Sequence, residues 1–279
     1  MLEEDRLRTA ALGGLWTSLD VVARTGSTNA DLLERAAADP AAAEGQILVA
    51  EEQTAGRGRL GRSWESVPGT SLTFSVLLFP EQVPPGRRGW LTLLTGVAVA
   101  AAVGATAAVD AGLKWPNDVL IGERKLAGIL AEQAPARVPG AGVSGAGVPA
   151  AGAVVVGIGL NVTTPADALP VSPAGVAATS LLVEGAPADR EDILLSILSH
   201  LERWYTAFRD DPDPARTGLL GAYRERSATL GRAIRAELPG GRVVTGTATG
   251  IDDDGSLLVT DKPGNPPTSV AAGDVIHVR

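Results

Sequence analysis

The chain has 279 residues, 45% hydrophobic and 20% charged, which is ample for a sizeable core and excludes disorder as its main state. Its 32 Asp and Glu outnumber 24 Lys and Arg for a formal charge of −8, so it is no general nucleic-acid binder, because phosphates are held by net positive patches. Cys is absent and His occurs only as His200 and His277, which excludes disulfide scaffolds, Cys-built zinc sites and cysteine nucleophiles and fits a cytoplasmic protein.

The amino end, MLEEDRLRTA, carries acids and no apolar centre and does not read as a secretory signal. Thr28-Asn29-Ala30-Asp31 reads as a capping box opening a helix to about Ala38, with Leu32, Leu33, Ala36 and Ala37 as its buried stripe. Ile47–Ala50 is a short strand running into a Gly/Arg loop, Gly56–Arg62. Ser71–Phe79 alternates, placing Leu72, Phe74, Val76 and Leu78 on one face of a strand. Trp90–Val109 has the length of a membrane span, but Ala, Thr, Gly96 and Gly104 mark it as a buried helix.

Leu113–Ile121 and Lys125–Glu132 read as a hairpin joined at Gly122-Glu123-Arg124. Pro135–Gly152, rich in Ala, Gly and Val without period, reads as a mobile surface loop. Ala153–Val162 is a buried strand, and Asp189–Phe208 an amphipathic helix presenting Ile193, Ile197, Leu201, Trp204 and Phe208. Beyond Gly231 come only short strands, 233–238, 243–251, 257–260 and 268–278, with turns at Pro239-Gly240-Gly241 and Asp253-Asp254-Gly255. The expected class is therefore α+β. A mixed sheet with packed helices over residues 1–229 precedes a small all-β domain over 230–279.

Gly56-Arg57-Gly58-Arg59-Leu60-Gly61-Arg62 satisfies the dinucleotide spacing G-x-G-x-x-G and nearly the phosphate-loop pattern. Both need a helix starting at the last glycine. Pro68-Gly69 would break such a helix within two turns, so neither motif holds. What remains is a loop whose backbone can approach a ligand and whose guanidinium forks match carboxylate and phosphate oxygens. Lys114-Trp115-Pro116-Asn117-Asp118, followed by Lys125-Leu126-Ala127-Gly128, places two lysines around a turn. A solvated turn and a cleft wall are both open there, with Lys125 projecting from a sheet edge in the second case. The glycines of Gly157-Ile158-Gly159-Leu160-Asn161 call for close approach, either by a ligand or by the Ala-rich helix. Ser27-Thr28-Asn29 and Gln53 fit a simple helix cap equally well. No His has metal-ligand company, so no protein metal site is expected.

Taken together, GRGRLGRSW, KWPNDV, KLAGILAE, the upstream STN and GIGLN resemble the biotin–protein ligases in order and spacing. The tail VTGTATGIDDDGSLLV is similar to that family's SH3-like carboxyl-terminal domain, and the resemblance runs from Val21 to Arg279. It implies a class II synthetase-like catalytic domain. Bifunctional members carry a DNA-binding winged helix ahead of this region. Only 26 residues precede Ser27, so the resemblance implies the type without repressor function, with no specific DNA binding and no membrane.

The family's two steps would be biotin plus ATP giving biotinyl-5′-AMP and pyrophosphate, then acylation of a lysine on a biotin carboxyl carrier protein or domain of an acyl-CoA or pyruvate carboxylase. By resemblance, Ser27, Thr28, Asn29 and Gln53 meet biotin's ureido end or flank its pocket, and Gly128 belongs to the biotin-binding set. Arg57, Gly58, Arg59 and Lys125 converge on the carboxylate and α-phosphate. Trp64 forms an adenine-side wall, and Lys114, Asn117 and Asn161 lie near the phosphates and ribose. Mg²⁺ would bridge phosphates, and Asp118 would help deprotonate the incoming lysine. Lipoate–protein ligase is the nearest other enzyme, with a related catalytic domain. A nicotinamide dehydrogenase rests on the glycine spacing alone, and a biotin-sensing DNA regulator would need the amino-terminal domain.

Overall fold

The computed structural model describes residues 1–38, 42–134, 152–170, 177–186 and 188–278. Almost all of the Pro135–Gly152 loop expectation, residues 135–151, lies outside them. In chain order the helices are α1 (Glu4–Ala11), α2 (Thr28–Ala38), α3 (Trp90–Ala107), α4 (Arg190–Asp210) and α5 (Leu219–Arg226). The first seven strands are β1 (Ser18–Val22), β2 (Gln46–Ala50), β3 (Ser71–Leu78), β4 (Gly112–Lys114), β5 (Asp118–Ile121), β6 (Arg124–Gln133) and β7 (Val154–Asn161). They form one sheet in the order β1-β2-β3-β7-β6-β5-β4, parallel only between β1 and β2. β8 (Ala233–Glu237), β9 (Val243–Ile251), β10 (Leu257–Thr260), β11 (Thr268–Val270) and β12 (Asp274–His277) form a second, wholly antiparallel sheet. The α+β expectation, a mixed sheet with helices ahead of an all-β unit, describes this arrangement.

The alternation of β3 decides the layering. Leu72, Phe74, Val76 and Leu78 join the main core with Val154, Val156, Ile158 and Leu160 of β7. α3 and α4 pack on that face. α3 is the one helix among the described residues long and apolar enough to cross a membrane, yet most of its side chains are buried in this core. A helix apolar all round needs cover all round, and the sheet, α4 and α5 supply it. Asp189 caps α4 by accepting from Glu191 N at 2.8 Å and Asp192 N at 3.1 Å. The opposite face of β3 and β7 carries α2.

Several local expectations need correction. The cap of α2 is Ser27, whose Oγ lies 3.5 Å from Ala30 N, while Asp31 instead accepts from the Thr25 hydroxyl at 2.5 Å. Of the expected α2 stripe only Leu32 is fully buried, and Ala37 is exposed. Leu113–Ile121 is two strands, β4 and β5, parted by the Trp115-Pro116-Asn117 turn, and 268–278 is likewise split at Ala271-Ala272-Gly273. α1, β1 and α5 were not expected. α1 contributes one buried side chain, Leu7, and is held through its flank: Leu2 N donates to Glu51 Oε1 at 2.6 Å, Glu3 N to Glu191 Oε1 at 2.7 Å, and Arg6 pairs with Glu191 at 2.8 Å.

Two buried tryptophans fasten the second sheet to the first. Trp90 Nε1 donates to Asp253 O at 3.1 Å and Trp115 Nε1 to Gly255 O at 3.0 Å, both in the β9–β10 turn. Trp90 also packs edge-on against Tyr223, ring centroids 6.3 Å apart. Replacing Trp90 by Phe keeps an aromatic ring but removes the pyrrole with its N–H, leaving the Asp253 carbonyl without its donor and a small void in the core. Such a change costs about 1–3 kcal/mol, so chemical denaturation of W90F should show a single transition at lower denaturant; an unchanged midpoint would mean that the seam does not depend on this bond.

Candidate active site

Three glycines remove side chains from the α2-side face of the sheet. In the register, Ser75 of β3 stands beside Gly157 of β7, which faces Leu130 of β6; two residues along, on the same face, Thr73, Gly159 and Gly128 lie in a row. A Cβ on Gly157 would sit 2.1 Å from Asn29 Oδ1, and one on Gly159 2.2 Å from Trp64 Cε2. On Gly128 it would come within 3.2 Å of both Trp64 and Lys125 Nζ. The close approach read from these glycines is therefore real, but the Ala-rich helix is not its cause. α3 covers the other face, and Asn29 and Trp64 lie directly on the bare strands.

A cleft of about 1590 Å³ opens above this floor, bounded by the start of α2, the Gly/Arg loop, the β4–β5 turn and β12. Its lining includes Ser27, Thr28, Asn29, Gln53, Arg57, Gly58, Arg59, Trp64, Lys114, Asn117, Asp118, Lys125, Gly128 and Asn161. Every residue given a site role from the sequence lies in this lining.

One end is polar and closely bonded. Thr28 N donates to Gln53 Oε1 at 2.8 Å, and the Thr28 hydroxyl lies 2.6 Å from Ser75 Oγ and 3.0 Å from Gln53 Oε1. Ser75 Oγ donates to Asn29 Oδ1 at 2.6 Å, and Asn29 Nδ2 donates to Leu130 O and Glu132 Oε2 at 3.1 and 2.8 Å. Ser27, Thr28, Asn29 and Ser75 are all buried, so these bonds satisfy polar groups that water cannot reach.

Cations gather at the other end. The Gly/Arg loop closes on itself through Trp64 N to Gly56 O at 2.9 Å and Gly58 N to Arg62 O at 2.6 Å. Within it Arg59–Gly61 is a single 3₁₀ turn, followed by extended chain at Arg62. No helix follows the last glycine, in keeping with the rejection of both phosphate motifs. Leu60 takes a left-handed φ of 56° and is 60% exposed, a strained conformation for a bulky residue. Each arginine has a partner: Arg57 meets Glu132 at 3.3 Å, Arg59 meets Asn117 Oδ1 at 3.2 Å and Gly273 O at 3.4 Å, and Arg62 pairs with Asp274. Burial lowers the Arg59 pKa, with Asp274 and Asp118 opposing.

Lys114 and Asp118 face each other across the β4–β5 turn. Asn117 braces that turn against β6, its Nδ2 donating to Ile129 O at 3.0 Å and its carbonyl accepting Ile129 N at 3.0 Å. Lys125 reaches the cleft by a register shift. β6 has one more residue than β5 between the pairs Val119–Ala127 and Leu120–Lys125, so Leu126 and Ala127 both enter the core and Lys125 swings to the cleft face, as a bulge re-aims its strand. The strand lies inside the sheet, between β7 and β5, which corrects the expected sheet-edge position. Lys125 Nζ lies 2.6 Å from Asp118 Oδ1 and 5.9 Å from the Trp64 ring. Burial lowers the Lys114 pKa, and nearby Lys125 and Arg62 lower it further against Asp118 and Asp274.

Asn161 is buried, donating to Thr179 O at 3.0 Å. Trp64 Nε1 is buried without a hydrogen-bond partner among the described residues. His277 lines the cleft with Nε2 3.2 Å from Thr229 Oγ1, its pKa pushed down to about 4 by burial and then by Lys114 and Arg232, so it is neutral at pH 7. Ser75, Glu132, Gly273 and Asp274 escaped the sequence reading. Ser75 was visible as a polar residue on the non-core face of an alternating strand. Nothing local marks Gly273 or Asp274, which reach the arginines only through the packing of the second sheet.

Comparison with known proteins agrees with this geometry. Residues 21–148 match the biotin/lipoate A/B protein ligase family, and residues 229–278 match the biotin protein ligase C terminal domain. The chain is 44% identical to the biotin–[acetyl-CoA-carboxylase] ligase of Mycobacterium tuberculosis over 284 aligned residues, covering 100% of this chain and 96% of that protein. It is 32% identical to the bifunctional ligase/repressor BirA of Bacillus subtilis, over 92% of this chain and 73% of that one. Among solved structures, the Aquifex aeolicus biotin protein ligase in complex with biotin and ATP superposes with a TM-score of 0.72 at 26% identity, covering 95% of this chain and all of that one. A fold, a cleft and two consecutive sequence matches agree, and the chain belongs to the biotin–protein ligase family.

Proposed function

We propose that this protein activates biotin with ATP to biotinyl-5′-AMP and transfers biotin to a lysine of a carboxylase's carrier protein or domain. The observation that carries the reading is the meeting of Arg57, Arg59, Lys114 and Lys125 in one cleft of a chain whose net charge is −8. The first step brings a carboxylate against a polyanion, and cations fixed around the junction stabilise the charge that develops in its transition state. The nearest enzyme alternative, lipoate ligation, is set aside because both relatives and the solved structure named above are biotin ligases or the bifunctional BirA.

The roles follow the two ends of the cleft. Ser27, Thr28, Asn29 and Gln53 hold the ureido end, where the polar groups are already bonded and water is excluded. Gly128 keeps the floor bare. Arg57, Gly58, Arg59 and Lys125 meet the carboxylate and α-phosphate. Trp64 is the adenine-side wall, and Lys114, Asn117 and Asn161 flank the phosphates and ribose. Asp118, beside Lys125, accepts a proton from the incoming lysine amine. The catalytic unit is residues 1–229 and the carboxyl-terminal domain 230–279, with the reaction taking place in the cytoplasm.

Mg²⁺ fits as an ion carried in on the nucleotide. Among the described residues no group of three or more His, Asp or Glu is placed to hold a metal. Asp118, the cleft carboxylate nearest the lysines, is already engaged by Lys125. The ion's contribution there is to neutralise phosphate charge.

The direct test is to incubate purified protein with ATP, biotin and an isolated carrier domain, then locate biotin on the carrier by mass spectrometry. Modification of one carrier lysine, dependent on both small molecules, is the expected result; an unmodified carrier contradicts the reading. Lys125→Ala should slow adenylate formation by about a hundredfold, some 3 kcal/mol, as expected on removing a charge that follows the transition state. Transfer from synthetic adenylate should fall much less, because the attacking amine is neutral. Arg at the same position should not restore the rate, since a planar fork cannot occupy the point position of an ammonium. Single-turnover kinetics of each half-reaction decides this, and equal losses in both would reduce Lys125 to a shaper of the pocket.

Gly159→Ala tests the floor. The new Cβ falls within 2.2 Å of the Trp64 ring, whose side chain must leave the strand. Calorimetry should show biotin or nucleotide binding weakened by at least about tenfold, roughly 1.4 kcal/mol. Wild-type affinity for both would mean that Trp64 is no wall of the site.

A further inference from the structure

Glu132 stands behind the polar end of the cleft, bonded to Asn29 and Arg57 of its lining, and it fixes the direction of the hydrogen bonds around Asn29. The Asn29 amide faces two groups that only accept, the Leu130 carbonyl at 3.1 Å and the Glu132 carboxylate at 2.8 Å. Both of its N–H bonds therefore point that way and Oδ1 faces Ser75. Ser75, 2.6 Å from Oδ1, must donate. Its proton being used, Ser75 can only accept from the Thr28 hydroxyl, whose one proton is shared between Ser75 Oγ at 2.6 Å and Gln53 Oε1 at 3.0 Å. From Ser75 the protons run one way, to Asn29 and then to Glu132. The second Glu132 oxygen accepts from Arg57 Nη1 at 3.3 Å.

We infer that Glu132 is a positioning residue for biotin, fixing the hydrogen-bond polarity of the pocket's ureido end. The inference rests on the ligase reading given above. With the protons of Ser75 and Asn29 directed toward Glu132 and that of Thr28 shared by Ser75 and Gln53, what Thr28 and Asn29 have left to offer a ligand in the cleft is lone pairs. These lone pairs suit a group that brings N–H donors, as the two nitrogens of a cyclic urea do, and an acyl chain ending in apolar atoms would leave them unpaired. The carboxylate can only accept. An amide in its place can also donate, so the chain loses its fixed end and the arginine its partner.

The test is Glu132→Gln in biotin-dependent ATP–pyrophosphate exchange. Its expected signature is a KM for biotin raised by about tenfold or more, with a clearly smaller change in kcat and in the KM for ATP from the release of Arg57. A group that merely supported the fold would move all three constants together. Because the chain acts as a unit, Glu132→Gln should add less than about twofold to the loss already caused by Asn29→Ala. Ser75→Ala breaks the same chain without touching the carboxylate or Arg57, and it should reproduce the selective rise in biotin KM even if Glu132→Gln fails to fold. An unchanged biotin KM in the folded variants, a parallel change for ATP, or full multiplication of the two losses would overturn the assignment. A wild-type protein with no biotin-dependent exchange would overturn the ligase reading itself, an outcome distinct from variants that exchange like wild type.

Discussion

An acidic chain that must join two anions has to keep its positive charge concentrated and correctly placed, and here carboxylates do the placing. Glu132 holds Arg57, Asp274 holds Arg62 and Asp118 holds Lys125. These pairs are partly exposed, and pairs of that kind contribute little to stability. Their value lies in geometry. Without partners, four or five cations in one cleft would repel each other and spread into solvent. Burial adds to the tension, lowering the pKa values of Arg59 and Lys114, which favours exchange of solvent for a ligand that brings negative charge.

The rest of the architecture serves that cleft. The sheet has one face filled by α3 and α4 and the other bared by Gly128, Gly157 and Gly159, so that Asn29 and Trp64 lie against backbone. The bulge in β6 carries Lys125 across from the core side to the same face. The second sheet is tied down by the Trp90 and Trp115 indoles, and this is what allows Gly273 and Asp274 to meet the arginine loop. A single buried cluster runs through both units, from Leu72 and Phe74 of the first sheet to Ala248 and Leu257 of the second.

Much of the site was legible because its chemistry is local in the chain. Arg57 and Arg59 stand one glycine apart, Lys114, Asn117 and Asp118 share one turn, and Lys125 lies near the start of the strand paired with β5. The alternation of β3 and the apolar repeat of α4 announced the main layers. What could not be read depended on tertiary contact. α1 has one buried side chain and is held by carboxylates from β2's end and α4. The partners of Gly157 and Gly159 come from residues more than ninety positions away and lie on the face opposite the helix expected there. Glu132 is an ordinary charged strand end until Asn29 and Arg57 are folded against it. Lys125 reads as a sheet-edge residue because the strand order that puts β6 between β7 and β5 is not local, and period-two counting cannot see the bulge that sets its face.

The central claim is that the cation-lined cleft directs the biotin carboxylate onto the α-phosphorus of ATP. Biotin carrying heavy oxygen in its carboxylate tests this most directly. After adenylate formation and transfer to a carrier lysine, mass spectrometry of the released nucleotide should find one heavy oxygen in AMP and none in pyrophosphate. Label in pyrophosphate or inorganic phosphate, or unlabelled AMP alongside a biotinylated carrier, would contradict the account.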